Sequence, residues 1–162
     1  MNGQPREVAL ALGSNVGDKA AHIGRALAAL TATGLVRDLE ASALYRTAPW
    51  GPVAQDWYVN GCAVGMTMVP PRDLLARVKA LEVALGRVET VRWGPRVIDI
   101  DILYYVDEAI DTPALTLPHP EMLKRAFVLI PLAELRPERR IGGIAVADAA
   151  ARCDPHGIER LA

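Results

Sequence analysis

The sequence is poor in aromatic residues, in cysteine and in net charge, and each shortage excludes a class of protein. Only 5% of the 162 residues are Phe, Trp or Tyr, so a core of this size must be mainly aliphatic. Cys62 and Cys153 are far apart in sequence and without metal-ligand spacing, which indicates small buried thiols in a reducing compartment. A formal charge of −1 excludes a global basic field for nucleic acid or anionic lipid, so any bound anion needs a local cluster.

Long apolar runs are also missing. No run approaches the roughly 20 residues that cross a bilayer, and residues 1–7 lack the charged-then-apolar pattern of a secretory signal. The composition, 51% hydrophobic and 23% charged, is nevertheless sufficient for a buried core. We therefore expect a soluble cytoplasmic monomer with one domain over residues 1–162, in which 1–7 and 137–162 are peripheral.

Apolar periodicity predicts a β-α-β-β-α-β order with an added strand pair. The predicted elements are a strand at 7–12, a helix from Asp18 to Gly34, strands at 35–45 and 57–68, a helix from Pro70 to Gly86, and a strand at 97–106 with a short return. Residues 46–56 are predicted to form a long loop, 126–135 to be interrupted by Pro131, and the stretch after Ala145 to contain one short helix. This order favours an α+β, ferredoxin-like split βαβ fold, with two helices on one face of a mostly antiparallel sheet.

Residues 92–103 carry the strongest chemical signal. Asp99 and Asp101 occupy positions i and i+2 of a strand, so their side chains share a face with Cα atoms about 6.5–7 Å apart. Such a pair repels unless a cation lies between the carboxylates, and hard oxygen ligands suit Mg²⁺. Arg92 and Arg96 flank the acids, and guanidinium beside such carboxylates is typical of polyphosphate chemistry. The alternative is the solvated face of an edge strand.

The stretch 92–103 resembles, nearly residue for residue, the signature of the 6-hydroxymethyl-7,8-dihydropterin pyrophosphokinase family. Further blocks follow in that family's order over about residues 8 to 135: Leu12-Gly13-Ser14-Asn15, Tyr45 to Pro49 with Gly51-Pro52, Tyr58-Val59-Asn60, Leu117 to Pro120, and Arg125-Ala126-Phe127. The resemblance implies transfer of pyrophosphate from Mg-ATP to the hydroxymethyl group of a reduced pterin, with release of AMP, in folate biosynthesis. The implied partners are therefore ATP and the pterin, without nucleic acid or membrane.

The resemblance also implies roles for individual residues. Asp99 and Asp101 would hold two Mg²⁺ ions and would be catalytic together with Arg96 and Arg87. The implied ATP side consists of Glu82, Arg87, Arg92, Trp93, Arg96, His119 and Arg125. The implied pterin side consists of Thr47, Tyr58, Asn60 and Phe127. Trp50 departs from the family, because it is bulkier than the aliphatic residue usual in the second loop, and we expect it to cover the pterin as well. The residue types agree with these roles, because two aromatic faces hold a flat ring and an amide both donates and accepts at its edge.

Two other functions stay open at this point. A two-metal nucleotidyltransferase also combines Gly-Ser with Asp-x-Asp, but here Gly13-Ser14 precedes Asp99 by more than eighty residues. A split βαβ module that binds single-stranded RNA would present surface aromatics, but it would also be expected to carry a basic face. The released product distinguishes the first alternative, and salt-dependent oligonucleotide binding distinguishes the second.

Overall fold

The computed structural model describes residues 3–49, 54–87, 95–106 and 108–161. Its longer strands and helices are β1 Arg6–Ser14, α1 Lys19–Ala32, β2 Arg37–Ala41, β3 Tyr45–Thr47, β4 Tyr58–Thr67, α2 Pro71–Ala84, β5 Asp99–Tyr105, α3 Ala126–Leu135 and α4 Val146–Arg152. The shorter ones are β6 Ile110–Asp111, β7 Thr116–Leu117, a 3₁₀ helix Met122–Lys124, β8 Arg140–Ile141, β9 Ile144–Ala145 and β10 Ile158–Arg160.

The main sheet has the order β10-β3-β4-β1-β5, and β2 also pairs with β4. Every pairing within it is antiparallel, and β1 lies between β4, which carries Tyr58 and Asn60, and β5, which carries Asp99 and Asp101. Its register sets Gly13 between Asn60 of β4 and Asp99 of β5. The predicted split βαβ fold is confirmed.

One face of the sheet is covered by α1 and α2, as the sequence predicts. Val8, Leu10 and Leu12 alternate along β1 and join a buried cluster with Ile23 of α1 and Val78 of α2. The Asp18 side chain accepts a hydrogen bond from the Ala21 N–H at 3.2 Å, which caps α1 at the predicted residue. No helix within the described ranges is long and apolar enough to cross a membrane.

The other face is covered by α3 and α4, and here the sequence-based prediction was incomplete. Ala9 and Cys62 of the sheet pack in one cluster with Val128, Leu129 and Leu132 of α3. Residues 126–135 form one helix with Pro131 inside it, so the predicted interruption at Pro131 was wrong. Pro131 is buried, and packing of this apolar helix offsets the hydrogen bond that proline removes.

Residues 35–45 contain β2 and the first residue of β3, rather than the single strand predicted. Both pair with β4, but between them Ser42 uses its hydroxyl to accept from the Cys62 N–H at 2.9 Å. Arg46 and Thr47 belong to β3 and not to the predicted loop. The short helix predicted after Ala145 is present as α4, whereas β10, which pairs with β3, was not predicted.

Candidate active site

A cleft of about 270 Å³ lies beside Gly13 at the end of β1, where β4 and β5 begin. Its wall contains most of the predicted residues that the structure describes: Thr47, Tyr58, Asn60, Arg96, Asp99, Asp101, His119, Arg125 and Phe127. These residues come from β3, β4, β5, α3 and the segments that lead into β5 and α3. Residues far apart in sequence are therefore gathered at one end of the sheet.

The acidic pair follows the period of β5. Asp99 and Asp101 lie opposite Gly13 and Ala11 of β1, so both carboxylates belong to the same face of the sheet. Burial, and then repulsion from Asp99, raise the pKa of Asp101 to about 6. Oxygen donors held together under this repulsion fit Mg²⁺, which completes its octahedron with water and phosphate oxygens. Within the described ranges, no group of three or more His, Cys, Asp or Glu side chains has the geometry of a metal site.

Glu82 and Arg87 lie behind the acidic pair. Glu82 is 2% exposed, and its carboxylate accepts from Arg87 Nη1 at 2.7 Å and from the Ile100 N–H at 2.6 Å. The same Arg87 Nη1 lies 3.0 Å from Asp99 Oδ1. Burial raises the pKa of Glu82, against the attraction of nearby Lys79. Glu82 therefore connects α2 to β5 and orients Arg87 towards the acidic pair.

The turn after α2 brings Arg87 to this place. Gly86 has φ +108°, a conformation that glycine adopts more easily than other residues at the end of a helix. The Arg87 N–H then donates to the Glu82 carbonyl at 3.0 Å. The helix end thus folds the arginine back over the carboxylate that holds it.

The opposite side of the cleft is built around Asn60. Thr47 Oγ1 donates to Asn60 Oδ1 at 2.5 Å, which orients the amide. Gly13 leaves space for that amide, because a Cβ at Gly13 would lie 2.7 Å from Asn60 Nδ2. Tyr58 and Phe127 line the same cleft; burial, and next the Asp99 carboxylate, raise the pKa of Tyr58.

His119 and Arg125 complete the polar wall. The His119 N–H donates to the Leu103 carbonyl at 2.7 Å, which fixes this segment to β5. His119 Nδ1 accepts from the Glu121 N–H at 3.1 Å, so the neutral ring carries its proton on Nε2. Burial, and then the charge of Arg125, lower the pKa of His119 and favour this neutral donor.

The predicted site residues and the residues that line the cleft do not agree completely. Trp50, Arg92 and Trp93 were predicted but lie outside the described residues. Gly13 and Gln55 line the cleft although sequence analysis assigned them no role. A glycine within a strand indicates a close approach of another group, so a signal for Gly13 was present. Gln55, in a polar loop, carried no such signal.

Comparison with known proteins was made by sequence and by structure. Residues 9–137 match the family described as 7,8-dihydro-6-hydroxymethylpterin-pyrophosphokinase (HPPK). A Methylorubrum extorquens protein named 2-amino-4-hydroxy-6-hydroxymethyldihydropteridine pyrophosphokinase is 49% identical over 152 residues, which are 94% of this chain and 96% of the relative. A Pseudomonas aeruginosa protein of the same name is 42% identical, over 96% of this chain and 97% of the relative. The fold is similar to Plasmodium falciparum HPPK-DHPS, with TM-score 0.76 and 15% identity over 98% of this chain and 47% of that longer one.

Proposed function

The chain belongs to the 7,8-dihydro-6-hydroxymethylpterin-pyrophosphokinase family, and we propose that its reaction takes place in the cleft beside Gly13. The enzyme transfers a pyrophosphoryl group from ATP to the hydroxymethyl oxygen of 6-hydroxymethyl-7,8-dihydropterin, releasing AMP, in folate biosynthesis. The observation that carries the proposal is that one cleft contains both an acidic pair flanked by arginines and an amide with two aromatic side chains. These are the requirements of the two substrates.

Asp99 and Asp101 would hold the metal, and we assign two Mg²⁺ ions to them. The donor set supports this assignment, since both carboxylates share one face and the pKa of Asp101 is raised by burial and then by repulsion from Asp99. When bound, Mg²⁺ supplies positive charge that neutralises and orients the triphosphate. Arg87, at 3.0 Å from Asp99 and held by Glu82, adds a fixed guanidinium beside the pair.

The remaining arginines and His119 are assigned to the phosphates of ATP. Arg96 and Arg125 both line the cleft with the acidic pair, where guanidinium donors stabilise charge that develops on phosphate oxygens. His119 would donate through Nε2. Glu82 would contribute to ATP binding by holding Arg87, while Arg92 and Trp93 remain predictions for the same substrate.

The pterin is assigned to the side of the cleft that contains Asn60. Tyr58 and Phe127 would stack on the flat ring, and the Asn60 amide, oriented by Thr47, would bind its polar edge. Trp50 remains a prediction for the same ring. Attack of the hydroxymethyl oxygen on the β-phosphorus then needs chiefly positioning and charge neutralisation, without a dedicated general base.

The test is an assay of AMP formation from Mg-ATP with and without the pterin, in wild type and in Asp99→Asn. We expect pterin-dependent AMP that falls by on the order of 10²-fold or more in the variant. Asp99→Asn preserves side-chain volume, and circular dichroism would verify its fold. Release of pyrophosphate instead of AMP would favour the nucleotidyltransferase, and salt-sensitive oligonucleotide binding without AMP would favour the RNA-binding module.

The ion count and the oligomeric state have separate tests. Mn²⁺ binding followed by electron paramagnetic resonance in the presence of a non-hydrolysable ATP analogue should give two ions per chain, and one ion would contradict the assignment. We further propose that the chain is a monomer. Sedimentation equilibrium at the assay concentration should accordingly return a mass close to 17.5 kDa.

A further inference from the structure

Asn15, immediately after β1, holds the main chain of a cleft residue from both sides. Its Oδ1 accepts from the Arg96 N–H at 2.7 Å, and its own N–H donates to the Arg96 carbonyl at 3.0 Å. Asn15 is only 3% exposed, so these hydrogen bonds are shielded from water. Arg96 precedes β5 and lies beyond the β1–β5 register, so these two hydrogen bonds with Asn15 join its backbone to the end of the central strand.

The same side chain reaches a second segment of the wall. Asn15 Nδ2 donates to Gln55 Oε1 at 2.7 Å and lies 3.4 Å from the Asp56 carbonyl. Gln55 and Arg96 both line the cleft, although they are separated by 41 residues in sequence. An asparagine suits this bridge, because one short side chain offers an acceptor to the Arg96 N–H and a donor to the Gln55 carbonyl oxygen.

A second side chain, Lys19, also holds the segment that contains Gln55. Lys19, at the start of α1, lies with Nζ 2.9 Å from Asp56 Oδ2 and 3.4 Å from the Trp57 ring centroid. The segment 55–57 is therefore attached to the β1–α1 junction by two side chains. Of these two, Asn15 is the one bonded to Arg96.

We propose that Asn15 is a positioning residue, which sets the Arg96 guanidinium at the phosphates by fixing the Arg96 main chain against the Gln55 segment. The inference rests on the proposed role of Arg96 in the reaction. Asn15 touches neither substrate in this account. It acts through two residues that form the wall, so its loss should lower the rate of transfer more than it weakens ATP binding.

The first experiment compares Asn15→Ala with Thr67→Ala. Thr67 is a matched control, since it is 1% exposed and its hydroxyl donates to Leu35 O at 2.8 Å and accepts from Val69 N at 3.1 Å, away from the cleft. We expect both variants to lower Tm, but only Asn15→Ala to lower kcat, by about tenfold to 10²-fold, with a smaller rise in the KM for ATP. If both variants keep kcat within about twofold of wild type, the role of Asn15 is only structural and the proposal is overturned.

A double variant distinguishes this proposal from the one on which it rests. If Asn15 acts through Arg96, Asn15→Ala should lower kcat by less than about threefold further in the Arg96→Ala background. Multiplying losses would overturn the positioning role. An unchanged kcat in Arg96→Ala alone would instead contradict the proposed role of Arg96.

Asn15→Asp covers the case in which Asn15→Ala does not fold. The aspartate keeps the acceptor for the Arg96 N–H, and Gln55 can rotate its amide to donate to the new oxygen. We expect kcat within about fivefold of wild type. A loss beyond about tenfold in a folded Asn15→Asp enzyme would overturn the proposal.

Discussion

The strand pair β1–β5 carries acidic residues at both ends, and the pKa values of the two ends are shifted in opposite directions. At the far end from the cleft, Glu7 accepts from Arg136 Nε at 2.9 Å, from Arg139 Nη2 at 2.8 Å and from Tyr104 Oη at 2.8 Å. Burial opposes ionisation there, but the hydrogen bonds from Tyr104 and Arg136 hold the pKa of Glu7 below its ordinary value. At the cleft end, burial and then repulsion from Asp99 raise the pKa of Asp101.

On one face of the sheet, the acidic residue at one end stabilises the fold, whereas the acidic pair at the other end is available for a ligand. Glu7 has its counter-charges within the chain, so its carboxylate stabilises the fold. Asp99 and Asp101 repel one another, so part of their stabilisation is left for a ligand to supply. An acidic residue with a satisfied set of donors is thus a poor candidate for catalysis, even when it lies on the same strands as the active site.

The largest effect is expected from a substitution of the acidic pair at the cleft end. Asp101→Asn should lower the rate of AMP formation by on the order of 10²- to 10³-fold, because one metal-binding carboxylate is lost. The free energy of unfolding should stay equal or increase, since the substitution removes a buried charge that is repelled by Asp99. An activity assay checks the rate, and urea denaturation checks the free energy of unfolding. A clear loss of stability would contradict the conclusion that the Asp101 carboxylate does not stabilise the fold.

A substitution of Glu7, at the end far from the cleft, should lower stability and leave activity unchanged. Glu7→Gln should lower the free energy of unfolding by about 1–3 kcal/mol, because charged hydrogen bonds to Arg136 and Arg139 are weakened, and kcat should stay unchanged. Glu40→Gln is the matched control, since Glu40 also meets Arg136 at 2.9 Å but is 56% exposed, against 15% for Glu7. It should cost less than about 0.5 kcal/mol; equal losses in urea denaturation would show that burial is not what makes Glu7 important.

A substitution of Gly13 in β1 distinguishes the pterin side of the cleft from the ATP side. A Cβ at Gly13 would lie 2.7 Å from Asn60 Nδ2, so Gly13→Ala should displace the amide and raise the KM for the pterin by about tenfold, while the KM for ATP changes little. Gly24→Ala is the control, because nothing lies within 4 Å of a Cβ at Gly24 in α1. Equal rises in both KM values in Gly13→Ala would mean that the glycine serves the whole cleft and not the Asn60 side.

The smallest expected effect is on pH dependence. Glu7 has a folded-state pKa below its ordinary value of 4.5, so its stabilisation is complete above that pH and is lost as pH falls through the lowered value. The free energy of unfolding, measured by urea denaturation between about pH 6 and about pH 3, should therefore fall less steeply in Glu7→Gln than in wild type. Parallel curves would contradict this role of Glu7.

Strand periodicity explains why the sequence predicted the centre of the site. Asp99 with Asp101 and Tyr58 with Asn60 are i, i+2 pairs, and each pair stays on one face once β5 and β4 form. The family resemblance supplied the roles of His119 and Arg125, which lie in the segment that leads to α3. Local pattern and motif were therefore sufficient for residues that act where their own strand places them.

Contacts between distant segments could not be predicted in this way. Packing of α2 on β5 buries Glu82, and hydrogen bonds from Arg87 and from the Ile100 N–H compensate the burial of its carboxylate. The Ile100 contact exists only when α2 packs on β5. Glu7 and Arg136 are 129 residues apart, and neither shows a pattern that names the other. The continuity of α3 through Pro131 likewise depends on burial against the sheet, which local propensity does not contain.

The central place of β1 also governs the order of folding. Ala11 pairs with Cys62, 51 residues later, and with Asp101, 90 residues later, so both neighbours of this strand require the closure of long loops. Contacts of such sequence separation carry the entropy cost of loop closure and slow folding. Because the acids and Asn60 meet across β1, catalytic competence arrives with the last of these pairings and disappears with the first to open.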